Sequence, residues 1–193
     1  PPRLLYVGQL HSYKGVHTLI EAAHFIADGM INSHSSSRAR LSVSIVGDGP
    51  GQYKRQLTKQ ALQGHADINF VGKVPQSELS GIYREHDIFI FPSNWQEPFG
   101  LTHLEAMASG TPVISTADGG HGEFLKDGEN ALVFEKENPG GLAAQISRLI
   151  SDNDLARYLA ATARTMVEQE FTLQRYVTDI EAFLQEVARG ENR

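Results

Sequence analysis

The sequence contains no cysteine. This absence excludes a disulfide framework, a cysteine-ligated metal and a cysteine nucleophile, and it fits a reducing compartment. Long apolar runs are also missing, because no stretch approaches the ~18–20 apolar residues of a membrane-spanning helix. The first residues, Pro1-Pro2-Arg3, lack the pattern of a signal peptide and lead directly into a predicted strand. We therefore expect a cytoplasmic location and, from the abrupt start, a chain that is part of a larger protein.

Positive charge is scarce in this chain. It has 17 Lys and Arg residues against 23 Asp and Glu residues, which gives a net charge of −6 at pH 7. Proteins that bind duplex nucleic acid usually present a basic face, so we expect no nucleic-acid partner. A single nucleotide needs only one or two local cations and remains a possible ligand. The length of 193 residues, of which 40% are hydrophobic, predicts one well-buried domain over residues 1–193.

Short apolar runs rich in β-branched residues alternate with amphipathic segments along most of the chain. Strands are predicted at 4–7, 41–46, 68–71, 88–91, 112–115 and 131–134, and helices at 16–26, 52–63, 77–84 and 101–108. From about residue 139 the pattern is helical only, in three segments that end near Arg189. This alternation predicts an α/β fold, a Rossmann-like doubly wound parallel sheet with a helical C-terminal tail. Ligands of such sheets bind at the carboxyl ends of the strands.

Three predicted strands are followed by loops that contain glycine. The loop after the first strand runs from Gly8 to Gly15 and contains Lys14, a cation that could reach a diphosphate. The loop 47–51, Gly-Asp-Gly-Pro-Gly, departs from the dinucleotide spacing G-x-G-x-x-G, and ordinary turn chemistry explains it equally well. The loop 72–75 could meet a base with its main chain or could be a plain connector. Taken alone, Lys14 could also be a solvated surface lysine.

Two carboxylates, Glu97 and Glu105, bracket the predicted start of the helix at 101–108. The first amides of a helix have no intrahelical acceptor, and they form a natural site for a phosphate group. Pro98 fits this position, because the missing proline N–H would have had no partner there. A ligand with hydroxyl groups at both ends and phosphate in the middle would suit this arrangement, and a nucleotide sugar is such a ligand.

These residues and their neighbours resemble the C-terminal, donor-binding domain of the retaining GT-B glycosyltransferases of family 4. The motif E-x7-E runs from Glu97 to Glu105. Further matching segments, in chain order, are Val7-Gly8, Lys14-Gly15, Val46-Gly-Asp-Gly49, Phe70-Val-Gly72, Gly110-Thr-Pro-Val113, Gly119-Gly-His-Gly-Glu123 and Asp127-Gly-Glu-Asn130. The likeness extends from Leu4 into the final helices. It implies one half of a GT-B fold and a nucleotide-diphosphate sugar as substrate.

The resemblance also implies roles for individual residues. Glu105 is similar to the acid that holds the ribose hydroxyls, and Glu97 to the acid that contacts the donor sugar near the reacting carbon. Lys14 is similar to the lysine that neutralises the diphosphate leaving group, so Glu97 and Lys14 are the predicted catalytic residues. The resemblance implies neither a metal nor another cofactor. The predicted donor-binding residues are Gly8, Gln9, Lys14, Lys73, Val74, Glu97, Phe99, Gly100, Leu101 and Glu105.

The resemblance also assigns roles to two short segments, and the chain differs from the family pattern at one position. Phe99, Gly100 and Leu101 match the segment whose amides receive the distal phosphate, and Lys73-Val74 lie in the loop that reads the base. The family often has an arginine directly after the first glycine, where this chain has Gln9. A lost cation should weaken charge stabilisation of the diphosphate.

The resemblance covers only the donor-binding half of a GT-B enzyme. We therefore expect the acceptor-binding domain to precede this chain in the parent protein, any membrane contact to be made by that domain, and the fragment alone to be inactive. The motifs are compatible with UDP, GDP or ADP as the nucleotide. The main alternative is a non-catalytic nucleotide-sensing or interaction module of the same architecture, which the Gln9 substitution would suit. A nucleotide-sugar epimerase of GT-B shape is a further alternative, disfavoured by the Glu97–Glu105 pair.

Four other features are predicted to have structural roles. The polar patch 32–38 reads as a surface loop, and Asp152-Asn-Asp154 as turn and cap residues rather than a metal site. His121 reads as a loop residue rather than a catalyst. The apolar positions of 173–187 recur at helical spacing, and we expect them to dock the tail onto the sheet or onto the absent half.

Overall fold

The computed structural model describes residues 1–29 and 40–190, so the polar patch 32–38 lies outside the described residues. The strands are β1 (Arg3–Val7), β2 (Ser42–Val46), β3 (Asp67–Gly72), β4 (Ile88–Phe91), β5 (Val113–Ser115) and β6 (Leu132–Val133). The helices are α1 (Val16–Ala27), α2 (Gly51–Ala61), α3 (Gln76–Arg84), α4 (Leu101–Ala108), α5 (Pro139–Ser151), α6 (Asn153–Glu170) and α7 (Leu173–Arg189). Two short 3₁₀ helices span Ser12–Lys14 and Gly120–Glu123.

The strands of the described residues form one sheet in the order β3-β2-β1-β4-β5-β6, and all neighbours are parallel. This order confirms the predicted Rossmann-like doubly wound sheet. Successive crossovers run one way from β1 to β3 and the opposite way from β4 to β6. Because such crossovers are right-handed, α1 and α2 cover one face and α4 covers the other. The direction reverses between β1 and β4, which opens a crevice at their carboxyl ends.

The central strands are buried on both faces because helices cover both sides of the sheet. The four residues of β4, Ile-Phe-Ile-Phe, are all buried, as a parallel strand between helical layers requires. Helix α1 packs against α2 and α5, whereas α4 packs against α3 and α6. The two layers hold β1 and β4 rigidly side by side, and these strands carry the loops of the site.

The C-terminal tail is helical from Pro139, as predicted, and side chains cap its three helices. The side chains of Asn138, Asp152 and Thr172 each accept a hydrogen bond from a main-chain amide in the first turn of α5, α6 and α7 respectively. The cap at Asp152 confirms its predicted structural role. Helix α3 differs from these three: Pro75 occupies its N-cap position, and no side chain caps it.

Helix α7 differs from the expectation that it docks onto the sheet. It has no buried residue, and its apolar stripe is exposed, for example Leu173 at 78% and Phe183 at 54%. The chain leaves helical geometry at Phe171, which separates α6 from α7. Docking onto another part of the parent protein stays a prediction. Among residues 1–29 and 40–190, we find no helix with both the length and the hydropathy that a bilayer crossing needs.

Candidate functional site

The loops after β1, β2 and β3 are joined to one another by main-chain hydrogen bonds. The amide of Gly8 donates to the carbonyl of Val46 at 3.0 Å, and the amide of Gly47 donates to the carbonyl of Gly72 at 2.8 Å. Gly47 has φ of 135°, and a Cβ there would lie 1.8 Å from the carbonyl oxygen of Gly8. The glycine of the second loop is therefore needed for close loop packing. The three loops form one continuous rim along the crevice.

An ion pair between Lys14 and Glu97 lies where the ends of β1 and β4 meet. The Nζ atom of Lys14 is 2.5 Å from Oε1 of Glu97, and the two side chains are only 15% and 8% exposed. The hydroxyl of Ser93 donates to the same oxygen at 2.7 Å. The structure thus brings the two predicted catalytic residues together, although 83 positions separate them in the sequence. Ser93 was missed by the sequence reasoning.

Lys14 is positioned by a tight turn that packs against the loop after β4. It ends the 3₁₀ helix Ser12–Lys14 and is followed by Gly15 at φ of 67°. A Cβ on Gly15 would lie 1.8 Å from the carbonyl oxygen of Pro92, so only glycine lets the two loops approach this closely. The Nζ atom of Lys14 also lies 5.5 Å from the ring centroid of Phe91. An aromatic face attracts such a cation, which adds to the contacts that position the ammonium group.

Glu97 is positioned by the segment Gly119-Gly120, with which it forms an isolated parallel bridge. The amide of Gly120 donates to the carbonyl of Glu97 at 2.7 Å. A Cβ on Gly119 would lie 2.6 Å from the Glu97 amide nitrogen, and one on Gly120 would lie 1.9 Å from the carbonyl oxygen of Pro98. The Gly-Gly pair is therefore a requirement of close backbone contact. Its signal was visible in the sequence as a motif, but the predicted site did not include it.

The amino end of α4 presents main-chain donors to the crevice. Gly100 caps the helix in the left-handed region at φ of 90°, with no side-chain cap. Among residues 1–29 and 40–190, no group accepts a hydrogen bond from the amides of Phe99, Gly100 or Leu101. The side chains of Phe99 and Leu101 are 43% and 66% exposed. These three predicted residues therefore supply a helix N-terminus that is open to an anion, as expected for a phosphate site.

Two buried histidines, His103 and His121, lie behind this helix start. Their rings are stacked, with the ring centroids 5.0 Å apart. His103 contacts the carbonyl of Gly100 through Nδ1 at 3.2 Å and the hydroxyl of Ser115 through Nε2 at 2.8 Å. His121 donates from Nε2 to the carbonyl of Thr116, and its Nδ1 has no partner among the described residues. His121 is thus a fully buried residue of a 3₁₀ helix, which corrects its prediction as a loop residue.

Burial keeps both histidines neutral near pH 7. Burial, with the neighbouring His121 next in size, lowers the pKa of His103 to about 3. Burial also lowers the pKa of His121, against opposing contributions from the Thr116 carbonyl and the Glu97 carboxylate. The two histidines therefore support the Gly100 turn as an uncharged packing element.

Glu105 lies one turn along α4 from the helix start, where Tyr83 of α3 holds its carboxylate. The Tyr83 hydroxyl donates to Oε2 of Glu105 at 2.9 Å, and the glutamate is half-buried. Burial, with the adjacent Glu105 charge next in size, raises the pKa of the Tyr83 hydroxyl far above its usual range. The hydroxyl therefore remains a donor at all ordinary pH values. It fixes the orientation of the Glu105 carboxylate at the edge of the helix start.

The other predicted residues flank this centre without touching the ion pair. Gly8 is half-buried at the end of β1, and Gln9 is exposed with its carbonyl accepting from the buried Tyr6 hydroxyl at 2.8 Å. Lys73 is exposed after β3, two strands away from β1, whereas Val74 packs partly against the core. Within the described parts of the chain, no group of His, Asp and Glu side chains has the geometry of a metal site.

The chain that forms this fold and crevice matches a known protein family. The family described as "Glycosyl transferases group 1" matches residues 1–166, which is most of the chain. The chain belongs to this family. The match includes the crevice and ends within α6, so the exposed helix α7 lies outside it.

Relatives and solved structures agree with this family assignment. The group 1 domain is 31% identical over 195 residues to glycogen synthase of Mycobacterium tuberculosis (strain H37Rv), covering 100% of this chain and 44% of that protein. It superposes with a TM-score of 0.80 on Anabaena Alr3699/HepE in complex with UDP and glucose, at 23% identity, over 95% of this chain and 48% of that one. The C-terminal domain of the Francisella tularensis group 1 protein LpcC gives a TM-score of 0.71 at 24% identity, with 89% and 87% covered. These two structural likenesses concern the fold.

The group 1 domain spans about half the length of the curated relatives it matches, for instance 46% and 44% of two of them. The LpcC structure is that of a C-terminal domain alone, and the present chain covers 87% of it. What the complete relatives act on is a property of longer chains than this one.

Proposed function

We propose that this domain binds the nucleotide-diphosphate sugar of a retaining GT-B glycosyltransferase of family 4. The parent enzyme would move the sugar to an acceptor hydroxyl. The observation that carries the proposal is the Lys14–Glu97 pair, with side chains only 15% and 8% exposed, beside the open amides of the α4 helix start. The pair lies at the crevice where the sheet order reverses. A cation and a helix N-terminus at one point suit a diphosphate, and acids on either side suit sugar hydroxyls.

In this proposal the ligand lies along the crevice with its diphosphate at the amides of Phe99, Gly100 and Leu101. Lys14 reaches the same phosphates and balances the charge that develops when the leaving group departs. The charge balance therefore comes from a lysine and a helix N-terminus rather than from a metal or another cofactor. Glu97, held by Lys14 and Ser93, faces the donor sugar.

The nucleoside occupies the opposite end of the crevice. The free oxygen of Glu105 accepts ribose hydroxyls while Tyr83 fixes the carboxylate. The main chain at Lys73 and Val74, together with Gly8, borders the base. The Anabaena protein that shares this fold was crystallised with UDP, which makes UDP the first nucleotide to test.

The remaining activity belongs to the parent protein in this proposal. The acceptor-binding domain precedes the present chain, any membrane contact is made by that domain, and the enzyme is cytoplasmic. This residue range alone is therefore expected to bind the donor nucleotide without transferring sugar. Sustained transfer by the isolated domain would contradict the two-domain mechanism.

Calorimetric titration with UDP, GDP and ADP tests the proposal. Substitution of Lys14 by Met should weaken binding of the preferred nucleotide about tenfold or more, because a charge-assisted contact of roughly 1.5–3 kcal/mol is lost. Substitution of Glu105 by Gln should weaken nucleotide binding less, because one carboxylate is replaced by an amide of equal size. The matched control Lys59→Met removes an exposed lysine of α2 and should leave affinity unchanged.

The Lys14→Met variant needs a check of folding, because it leaves Glu97 buried without its cation. Breaking a buried ion pair commonly costs about 3–5 kcal/mol of stability. The melting temperature of each variant is therefore measured, and affinities are compared well below it. The proposal is wrong if folded Lys14→Met and Glu105→Gln proteins bind all three nucleotides as tightly as the unmodified domain.

A non-catalytic nucleotide-sensing module is a second candidate, and one observation favours it. Gln9, directly after Gly8, is exposed and uncharged at the edge of the crevice, where a second cation would assist a leaving diphosphate. Substitution of Gln9 by Arg in the complete parent protein distinguishes the two. A parent that transfers sugar before the substitution is an enzyme, whereas a parent that binds nucleotide and transfers sugar in neither form is a sensor.

A further inference from the structure

A second cavity lies beside the crevice, with Phe99 at its border. Its volume is about 690 Å³, and it separates the segment 120–130 from the last turns of α6 and the bend at Phe171. This size accommodates one or two sugar rings, since ligand sites commonly measure ~300–1,000 Å³. None of the predicted nucleotide contacts except Phe99 borders it.

The apolar part of the cavity is a cluster of three phenylalanines. The ring centroids of Phe99 and Phe124 are 5.9 Å apart, those of Phe99 and Phe171 are 5.9 Å apart, and those of Phe124 and Phe171 are 5.4 Å apart. All three pairs meet edge to face, which holds the rings in fixed orientations. Phe124 is buried, whereas Phe99 remains 43% exposed and offers a rigid aromatic surface to a ligand.

The polar part of the lining has more acidic than basic side chains, with the carboxylates of Glu123, Glu129 and Glu170. Asn130 is buried and fully engaged: it accepts from the Lys126 amide and donates to the Phe124 carbonyl, so it fixes the wall. Lys126, the one basic side chain in the lining, is 3.7 Å from Glu129. The exposed lining side chains with hydrogen-bonding capacity left for a ligand are Glu123, Thr165, Gln169 and Glu170.

This combination selects a chemical class of ligand. The excess of carboxylates repels phosphates and other anions. The cavity therefore differs in ligand preference from the nucleotide site proposed around Lys14. Carboxylate, amide and hydroxyl groups around an aromatic surface match a neutral sugar, whose ring has an apolar face of C–H groups and a rim of hydroxyls. An apolar ligand would leave these polar groups without partners.

The position of the cavity relates it to the donor site. Phe99 contributes its ring to the cavity and its amide to the open helix start, and Gly120 borders the cavity while its amide holds the Glu97 carbonyl. A saccharide in the cavity would therefore lie next to the donor sugar assigned to Glu97. We propose that this cavity is a subsite for a neutral saccharide acceptor, formed within this domain. The proposal rests on the proposed donor-binding function.

Saturation-transfer NMR on the 193-residue chain with saturating UDP tests the subsite. The probes are methyl α-D-glucopyranoside, methyl α-D-mannopyranoside and N-acetylglucosamine. At least one should receive saturation from the unmodified domain. Substitution of Thr165 by Arg, which places a long side chain at the rim of the cavity, should reduce that signal about tenfold. The matched control Thr178→Arg alters an exposed threonine of α7, outside the cavity, and should leave the signal unchanged.

UDP calorimetry on the same proteins separates this inference from the proposed function. Unchanged UDP affinity in Thr165→Arg together with the lost saccharide signal supports the subsite. UDP binding without a signal from any probe overturns the subsite alone, and so does an equal signal in Thr165→Arg and the unmodified domain. Saccharide binding in the cavity of a domain that binds no nucleotide overturns the acceptor assignment along with the proposed function.

Discussion

Acid should destabilise this protein through His103. The buried ring has a pKa of about 3 in the folded state, against an ordinary value of 6.5. Between these two values the unfolded chain binds one proton more than the folded chain, so stability from this group is complete above pH 6.5 and declines as pH falls. Each pH unit in that window corresponds to about 1.36 kcal/mol. At pH 5, which is 1.5 units below 6.5, the loss from His103 is about 2 kcal/mol.

Urea unfolding followed by circular dichroism at pH 7 and pH 5 measures this loss. Other groups also titrate in this range, so the informative quantity is the difference between the unmodified protein and His103→Leu. The variant should lose about 2 kcal/mol less between the two pH values, because leucine takes up no proton. His11→Leu makes the same chemical change at a half-exposed position and is the matched control for the substitution itself.

The result that would refute this reasoning is equal pH dependence in the unmodified protein and in His103→Leu. It would mean that the ring becomes protonated in the folded state at pH 5, which requires a donor geometry different from the contacts with Gly100 and Ser115. A lower overall stability of the variant at both pH values would not affect the test, since only the change between pH values is compared.

Further predictions concern three glycine substitutions. Gly120→Ala should destabilise the protein by about 3 kcal/mol and weaken nucleotide binding, because its Cβ would lie 1.9 Å from the Pro98 carbonyl oxygen. Gly110→Ala, at φ of +77° but in open space, should cost only about 1–2 kcal/mol in urea unfolding; equal costs would contradict the close-packing argument. Gly81 lies inside α3, and a Cβ built there would have no neighbouring group within 4 Å. Gly81→Ala should therefore raise the free energy of unfolding by about 0.5–1 kcal/mol. A destabilised variant would show that the site is less open.

Local sequence pattern predicted most elements because burial on both sides leaves continuous apolar runs and glycines mark the turns. The strand at 88–91 and the helix at 101–108 have the predicted bounds, whereas β6 is shorter than the predicted 131–134. Helix α7 has the predicted amphipathic pattern, but such a pattern does not identify the surface that covers it.

The candidate site was predictable as a set of residue types and not as a geometry. Glu97 and Glu105 were recognisable from their spacing around a helix start, since that relation is local. Their partners were not: Ser93 and Tyr83 contact them through tertiary packing. His121 was placed in a loop because its neighbours are glycines, and only the packing of the 3₁₀ helix against α4 buries it.

By itself the sequence determined the alternation of strands and helices and the helix start after Glu97. It also contained the motifs on which the prediction of a diphosphate ligand rests. These depend on interactions between residues close in the chain, which composition and periodicity record. Only the tertiary structure decided that β1 lies beside β4, and with it the contact between Lys14 and Glu97 across 83 positions. The cavity beside Phe99 likewise arises from segments that are distant in the chain, because the order of strands in a sheet is set by packing of the whole domain.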